Sequence, residues 1–146
     1  MSFIDGVQVS GIAAAVPEKR FIINDLRIYS VSEKNQFIRH VGVHEKRTSD
    51  LKLTAADLCL TAAEELLKEL NWSPLAVGAV VFVTQSPDQI LPSTSIILQH
   101  KLGLPSQCLA FDINLGCSGW VYGRSVVASL MQTLGIEHGL LLAGET

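Results

Sequence analysis

The chain has 146 residues, a length that supports a single hydrophobic core. Charged residues are 17% and hydrophobic ones 48%, a lean surface beside the ~25% charged residues of an average domain, so part of it is expected to be covered by something else. The net charge of −3 argues against the basic footprint of a nucleic-acid binder, and no apolar run approaches the ~18 residues of a membrane span.

Residues 1–5 lack the basic region and apolar stretch of a secretory signal. Cys59, Cys108 and Cys117 are an odd number with no C-x-x-C spacing, which suggests neither a disulfide framework nor a zinc site. A reducing cytoplasm is the compartment these thiols fit.

Residues 7–16 are apolar and rich in small side chains, and predict a strand closed by a turn at Pro17. A second extended piece follows through Phe21, Ile22 and Ile23. Asn24 is the expected cap of a short helix over 25–31. The spacing of Phe37, Ile38 and Val41 favours helix over 33–41. Arg39, His40, His44, Lys46 and Arg47 then form the one basic cluster. His40 and His44 are four apart, but Gly42 between them predicts a bend rather than a metal-binding helix face. The cluster reads either as solvated loop charge or as a phosphate attractor.

Residues 54–70 make the clearest amphipathic helix. Thr54 and Asp57 resemble a capping box with a shortened acid. Leu58, Ala62, Leu66 and Leu70 form an apolar stripe that Cys59, Ala63 and Leu67 widen, so Cys59 reads as core. Asn71 ends this helix, and Ser73 with Pro74 makes a turn. Residues 77–84 are a continuous apolar run and predict a central buried strand. The loop 85–91 ends on Ile90 and Leu91, which are odd side chains for a free loop. One reading tucks Leu91 under its own loop. Pro92 and Ser93 start a helix that stops at Gly103.

Residues 108–113 read as a buried strand and lead into Asn114-Leu115-Gly116-Cys117-Ser118-Gly119. A long helix begins at or just after Cys117. A cysteine there meets unpartnered N–H groups at the positive end of a helix dipole, a position that favours thiolate over thiol. Gly116 allows a sharp turn, and Gly119 allows close approach of another backbone or a substrate. Cys117 therefore reads as a nucleophile on a strand-to-helix elbow, beside the alternative of a small core hydrophobe. Residues 120–134 are apolar or small nearly all round and predict a helix buried on most sides, with Gly119 and Gly123 on one face. Gly135 ends it, and 139–144 predict another buried strand.

Ala110-Phe111-Asp112, Gly116-Cys117-Ser118-Gly119-Trp120 and Tyr122 resemble the active-site segment of β-ketoacyl-acyl-carrier-protein synthase III, an initiating condensing enzyme of the thiolase superfamily. Gly11, Pro17, Gly42, Leu91-Pro92-Ser93 and Leu102-Gly103 fit the same family in order. The resemblance implies an α/β, thiolase-like layered fold, of which residues 1–146 match the N-terminal half only, with a mixed sheet and a buried central helix. It further implies that the histidine and asparagine of such synthases lie outside this stretch.

By that resemblance Cys117 takes an acyl group from an acyl-CoA primer. The acyl-enzyme then condenses with malonyl-acyl carrier protein, with loss of carbon dioxide and no metal or organic cofactor. A cytoplasmic homodimer is implied, with Leu91 closing the partner's acyl pocket and with no nucleic-acid or membrane partner. Gln36 and His40 occupy positions where the family often places a tryptophan and an arginine that grip the adenine end of coenzyme A. Glutamine offers no comparable stacking face. Trp120 and Tyr122 are expected as core neighbours. Related readings are a secondary-metabolite condensing enzyme or acyltransferase of the same superfamily, and a non-catalytic assembly subunit.

Overall fold

Residues 4–50 and 52–146 are described by a computed structural model, and they divide into two units. One is Val16–Leu53; the other is Thr54–Thr146 together with the segment that ends at Ala15.

In the smaller unit, β1 (Arg20–Ile22) pairs antiparallel with β2 (Glu45–Arg47), Phe21 opposite Lys46. Helix α1 (Val31–Val41) lies between them in sequence. Its first turn is set by Ser30, whose hydroxyl accepts from the Glu33 amide at 3.3 Å while the Glu33 carboxylate accepts from the Ser30 amide at 2.8 Å. These bonds to Ser30 hold the Glu33 carboxyl below its ordinary pKa. The short helix expected over 25–31 with Asn24 as its cap does not form. Asn24 instead lies in a 3₁₀ turn, Ile23–Asp25, and its carbonyl accepts from Lys34 Nζ at 2.8 Å. Gly42 ends α1 in the left-handed conformation at φ 74°, its amide donating to the Ile38 carbonyl.

The larger unit runs α2 (Ala55–Glu69), β3 (Val77–Val83), α3 (Thr94–Lys101), β4 (Leu109–Ile113), α4 (Gly119–Leu134) and β5 (His138–Ala143). Thr54 and Asp57 make the expected reciprocal cap of α2. The three strands form a sheet in the order β4-β3-β5, and both pairings are parallel. Among the described residues this sheet is parallel rather than mixed. Residues 7–16, expected as a strand, join no ladder. The segment faces α2 instead: a Cβ at Gly11 would come within 2.9 Å of Leu66 Cδ1.

Alternation along β3 builds the layers. Val80 and Phe82 join Leu140 and Leu142 against Cys59, Ala63 and Leu67 of α2 and Leu98 of α3. Val81 and Val83 join Leu141 and Val127 of α4 on the opposite face. Central β3 is buried on both sides, as its unbroken apolar run predicted. Strand β4 is an edge strand and only half-buried, with Leu109 exposed, which corrects the buried reading of 108–113.

Helix α4 also departs from expectation. Only Gly119, Gly123 and Val127 are buried, one stripe against the sheet, while Trp120, Val121 and Tyr122 are exposed. A single sheet face lies beneath the helix, so a second apolar side remains uncovered among the described residues. Trp120 and Tyr122 are therefore surface residues here, not core neighbours.

Candidate active site

The close approach of α4 to β3 fixes the corner that carries Cys117. A Cβ on Gly119 would lie 2.4 Å from Val83 Cγ1 and 3.1 Å from Leu115 Cβ, so only glycine lets the helix start this near the strand. The corner 114–118 is thereby held at the carboxyl ends of the parallel strands, where open α/β sheets place their ligands.

Cys117 is exposed in the turn just before α4. Among the described residues, the Cys117 and Ser118 amides have no backbone acceptor, and Ser118 precedes the helix without a side-chain capping bond. The Cys117 and Ser118 amides thus lie at the N-terminus of a sixteen-residue helix, where backbone N–H groups lack intrahelical partners. The other thiols differ. Cys59 and Cys108 are buried, and burial pushes each pKa up to about 11. Neither is a nucleophile near neutral pH, which agrees with Cys59 as core.

Leu91 lies in the loop after β3 and is 84% exposed beside the equally exposed Ile90. It is not tucked under its own loop. Because β3 and β4 are parallel neighbours, the loop holding Leu91 and the corner holding Cys117 leave the sheet at the same end. Gln36 and His40 belong to the smaller unit, on the exposed side of α1. His40 Nδ1 lies 2.8 Å from the Gln36 carbonyl oxygen, and since a carbonyl only accepts, that nitrogen carries the proton. The basic residues around them are exposed, as solvated charge is. A cleft of about 900 Å³ runs between the segment 4–15 and α2, α4 and β5, and Cys117 does not line it.

Two groups at this end of the sheet escaped the sequence reading. The Asp112 carboxylate accepts from the Thr94 and Ser95 amides, each at 2.8 Å, and so caps α3 from a neighbouring strand. An acid inside an apolar strand was the signal for it. The Glu145 carboxylate accepts from the Gln85 amide at 2.6 Å and from the Ser86 hydroxyl at 2.9 Å. No local pattern marked that pair, sixty residues apart.

No family model matches the chain. It is 34% identical over 97% of its length to a protein of Campylobacter jejuni provisionally named 3-oxoacyl-[acyl-carrier-protein] synthase 3, and spans 41% of that protein. It is 31% identical over 95% of its length to the beta-ketoacyl-[acyl-carrier-protein] synthase III of Alkalilimnicola ehrlichii, spanning 43% of it. A crystal structure of a 3-oxoacyl-(acyl-carrier protein) synthase from Burkholderia xenovorans superposes with a TM-score of 0.84 at 36% identity, over 89% of this chain and 38% of that one. The chain thus spans about two fifths of the length of the curated relatives it matches.

Proposed function

We propose that this chain, homologous over nearly all its length to the 3-oxoacyl-[acyl-carrier-protein] synthase III family and sharing its thiolase-like α/β fold, supplies the nucleophile of such a condensing enzyme. The observation that carries the proposal is the placement of Cys117: an exposed thiol on a strand-to-helix corner with unpaired amides beside it.

In this reading Cys117 Sγ attacks the carbonyl of an acyl-CoA primer, and the tetrahedral oxyanion is held by amides of the corner. The carbon–sulfur bond to coenzyme A breaks, the free thiol leaves, and the acyl group stays on Cys117. Malonyl carried on acyl carrier protein loses carbon dioxide, and its carbanion attacks the acyl-enzyme. The product is a 3-oxoacyl carrier protein, and Cys117 is released. Exposed Leu91 closes the acyl pocket of a second copy in a homodimer. Residues outside this stretch complete the decarboxylation chemistry. No helix of the described residues is long and apolar enough to cross a membrane, and all three cysteines are free, in keeping with a cytoplasmic enzyme.

The test is denatured intact mass after incubation of the intact protein with a panel of acyl-CoA and carrier-bound primers. An acyl increment on the peptide containing Cys117, absent from Cys117→Ala, is expected. Acylation retained by Cys117→Ala sinks the assignment. Gln36 presents a carboxamide where an aromatic face would grip adenine, which favours one second reading: a related secondary-metabolite condensing enzyme or acyltransferase whose primer arrives on a carrier. Labelling by carrier-bound primers alone selects that reading.

A further inference from the structure

We propose that Glu145 is a positioning residue for Cys117 and acts through Gln85; this rests on the reading of Cys117 as the acylated nucleophile. Glu145 follows β5, Gln85 follows β3, and Gly116 follows β4.

The Glu145 carboxylate is engaged on both oxygens. Oε1 accepts from the Gln85 amide at 2.6 Å, and Oε2 accepts from the Ser86 hydroxyl at 2.9 Å and the Thr84 hydroxyl at 3.4 Å. Thr84 is almost wholly buried, and its Oγ1 also accepts from the Ser86 amide at 3.0 Å. The turn 84–86 is therefore fixed by one carboxylate delivered from the far side of β3. Its backbone is fixed as well, since the Thr84 amide donates to the Ile113 carbonyl of β4 and the Gly144 amide to Val83 of β3.

The consequence of this clamp is the direction of the Gln85 side chain. Gln85 is exposed, and its carboxamide lies against Gly116. A Cβ at Gly116 would lie 2.8 Å from Gln85 Oε1 and 3.2 Å from Cδ. Gly116 and Gln85 are fitted to one another, and Gly116 is covalently joined to Cys117. The carboxamide thus forms a wall against the backbone that leads into the nucleophile. A clamp that only tied β5 to β3 would not require that wall.

Gln85→Ala removes the wall and leaves the clamp; Glu145→Ala removes the clamp and frees the wall. In the intact protein, each single variant is expected to slow the single-turnover acylation rate of Cys117 about tenfold or more, with the primer concentration for half-maximal rate unchanged. The double variant is expected to be no slower than the worse single, because both act along one chain of contacts. Glu145→Gln retains one acceptor oxygen and recovers part of the rate. Alkylation of Cys117 by iodoacetamide is measured in parallel and is expected to rise about threefold in each single variant and no further in the double, while Cys59 and Cys108 stay unlabelled. Additive losses in the double variant, or an unchanged rate in Gln85→Ala, overturn the proposal. If no primer acylates the parent, the synthase reading fails by itself, and the alkylation series still decides whether Glu145 acts on Cys117 through Gln85: parent-like alkylation in both single variants overturns it.

Discussion

Asp112 holds Thr94: its Oδ2 accepts from the Thr94 amide at 2.8 Å, while Oδ1 takes the Ser95 amide at the same distance. Ser93, the residue at the N-cap position of α3, makes no side-chain capping bond of its own. The carboxylate of an edge strand therefore does the work that a local serine does elsewhere, and it ties β4 to α3 in the process.

Replacing Asp112 should accordingly cost more than an ordinary surface change. Hydrogen bonds to a charged acceptor contribute about 1.5–3 kcal/mol each, and loss of a helix cap costs about 0.5–2 kcal/mol. Asp112→Ala is expected to lower the unfolding free energy by about 2–3 kcal/mol, read as a shift in the urea midpoint with an unchanged slope. Asp112→Asn keeps one acceptor and should lose less. Hydrogen exchange at the Thr94 and Ser95 amides should accelerate in both variants. Protection at parent level in Asp112→Ala would show that α3 is capped by something else.

Thiol chemistry separates Cys117 from its siblings without any substrate. Cys117 is exposed, whereas Cys59 and Cys108 are buried with thiols pushed to about 11. Only the thiolate reacts quickly, and only where reagent reaches it. At about pH 7.5, well below the raised pKa of the two buried thiols, iodoacetamide should add a single carbamidomethyl group, on exposed Cys117. In 8 M urea, roughly past the transition of a small domain, all three should react. Modification of Cys59 or Cys108 under native conditions would contradict the packing around α2 and β4.

Gly119→Ala sets two effects against one another. Alanine in a helix is favoured over glycine by about 1 kcal/mol. Against that, the new Cβ would lie 2.4 Å from Val83 Cγ1, and overpacking of this kind costs about 1–3 kcal/mol. Val83 belongs to the central strand and Leu115 closes the other side, so neither yields easily. The balance favours destabilisation of about 1–2 kcal/mol and a displaced Cys117 corner, with denaturant unfolding as the measure. A more stable Gly119→Ala variant would mean that α4 stands further from β3 than this geometry allows.

How much of this was legible beforehand depended on the distance over which each feature is encoded. The cap of α2 by Thr54 and Asp57, the stop of α4 at Gly135 and the run of β3 are local patterns, and each is found where its residues place it. The corner at Cys117 was readable too, because strand, glycine, cysteine and helix follow within ten residues. The capping box of Ser30 was missed although its partner Glu33 stands at the right spacing, and the short helix expected behind Asn24 gave way to a 3₁₀ turn. Residues 7–16 carry the composition of a strand, but pairing is decided by what lies alongside, and α2 lies there. The exposed side of α4 has the same origin: an apolar helix declares that it will be covered, not by what. Glu145 with Gln85, and Asp112 with Thr94, join segments that only the finished sheet brings together.

The pH dependence of stability follows from the buried thiol of Cys59. Its Sγ packs where a Cβ on Gly144 would come within 2.8 Å, and burial raises its pKa from the ordinary 9.0 to about 11. Between those values the unfolded chain has released the proton while the folded chain keeps it. The unfolded state then binds fewer protons, so stability falls as pH rises. The contribution is complete below pH 9 and is lost progressively as the pH climbs through 11. Lysines and tyrosines titrate in the same range, so the informative quantity is a difference between two proteins. Urea midpoints measured from pH 8 to pH 10.5, a window chosen roughly to bracket the unfolded thiol pKa, should fall more steeply for the parent than for Cys59→Ala. Identical slopes would mean that the Cys59 thiolate is tolerated in the folded state, and that the layer between α2 and the sheet admits water.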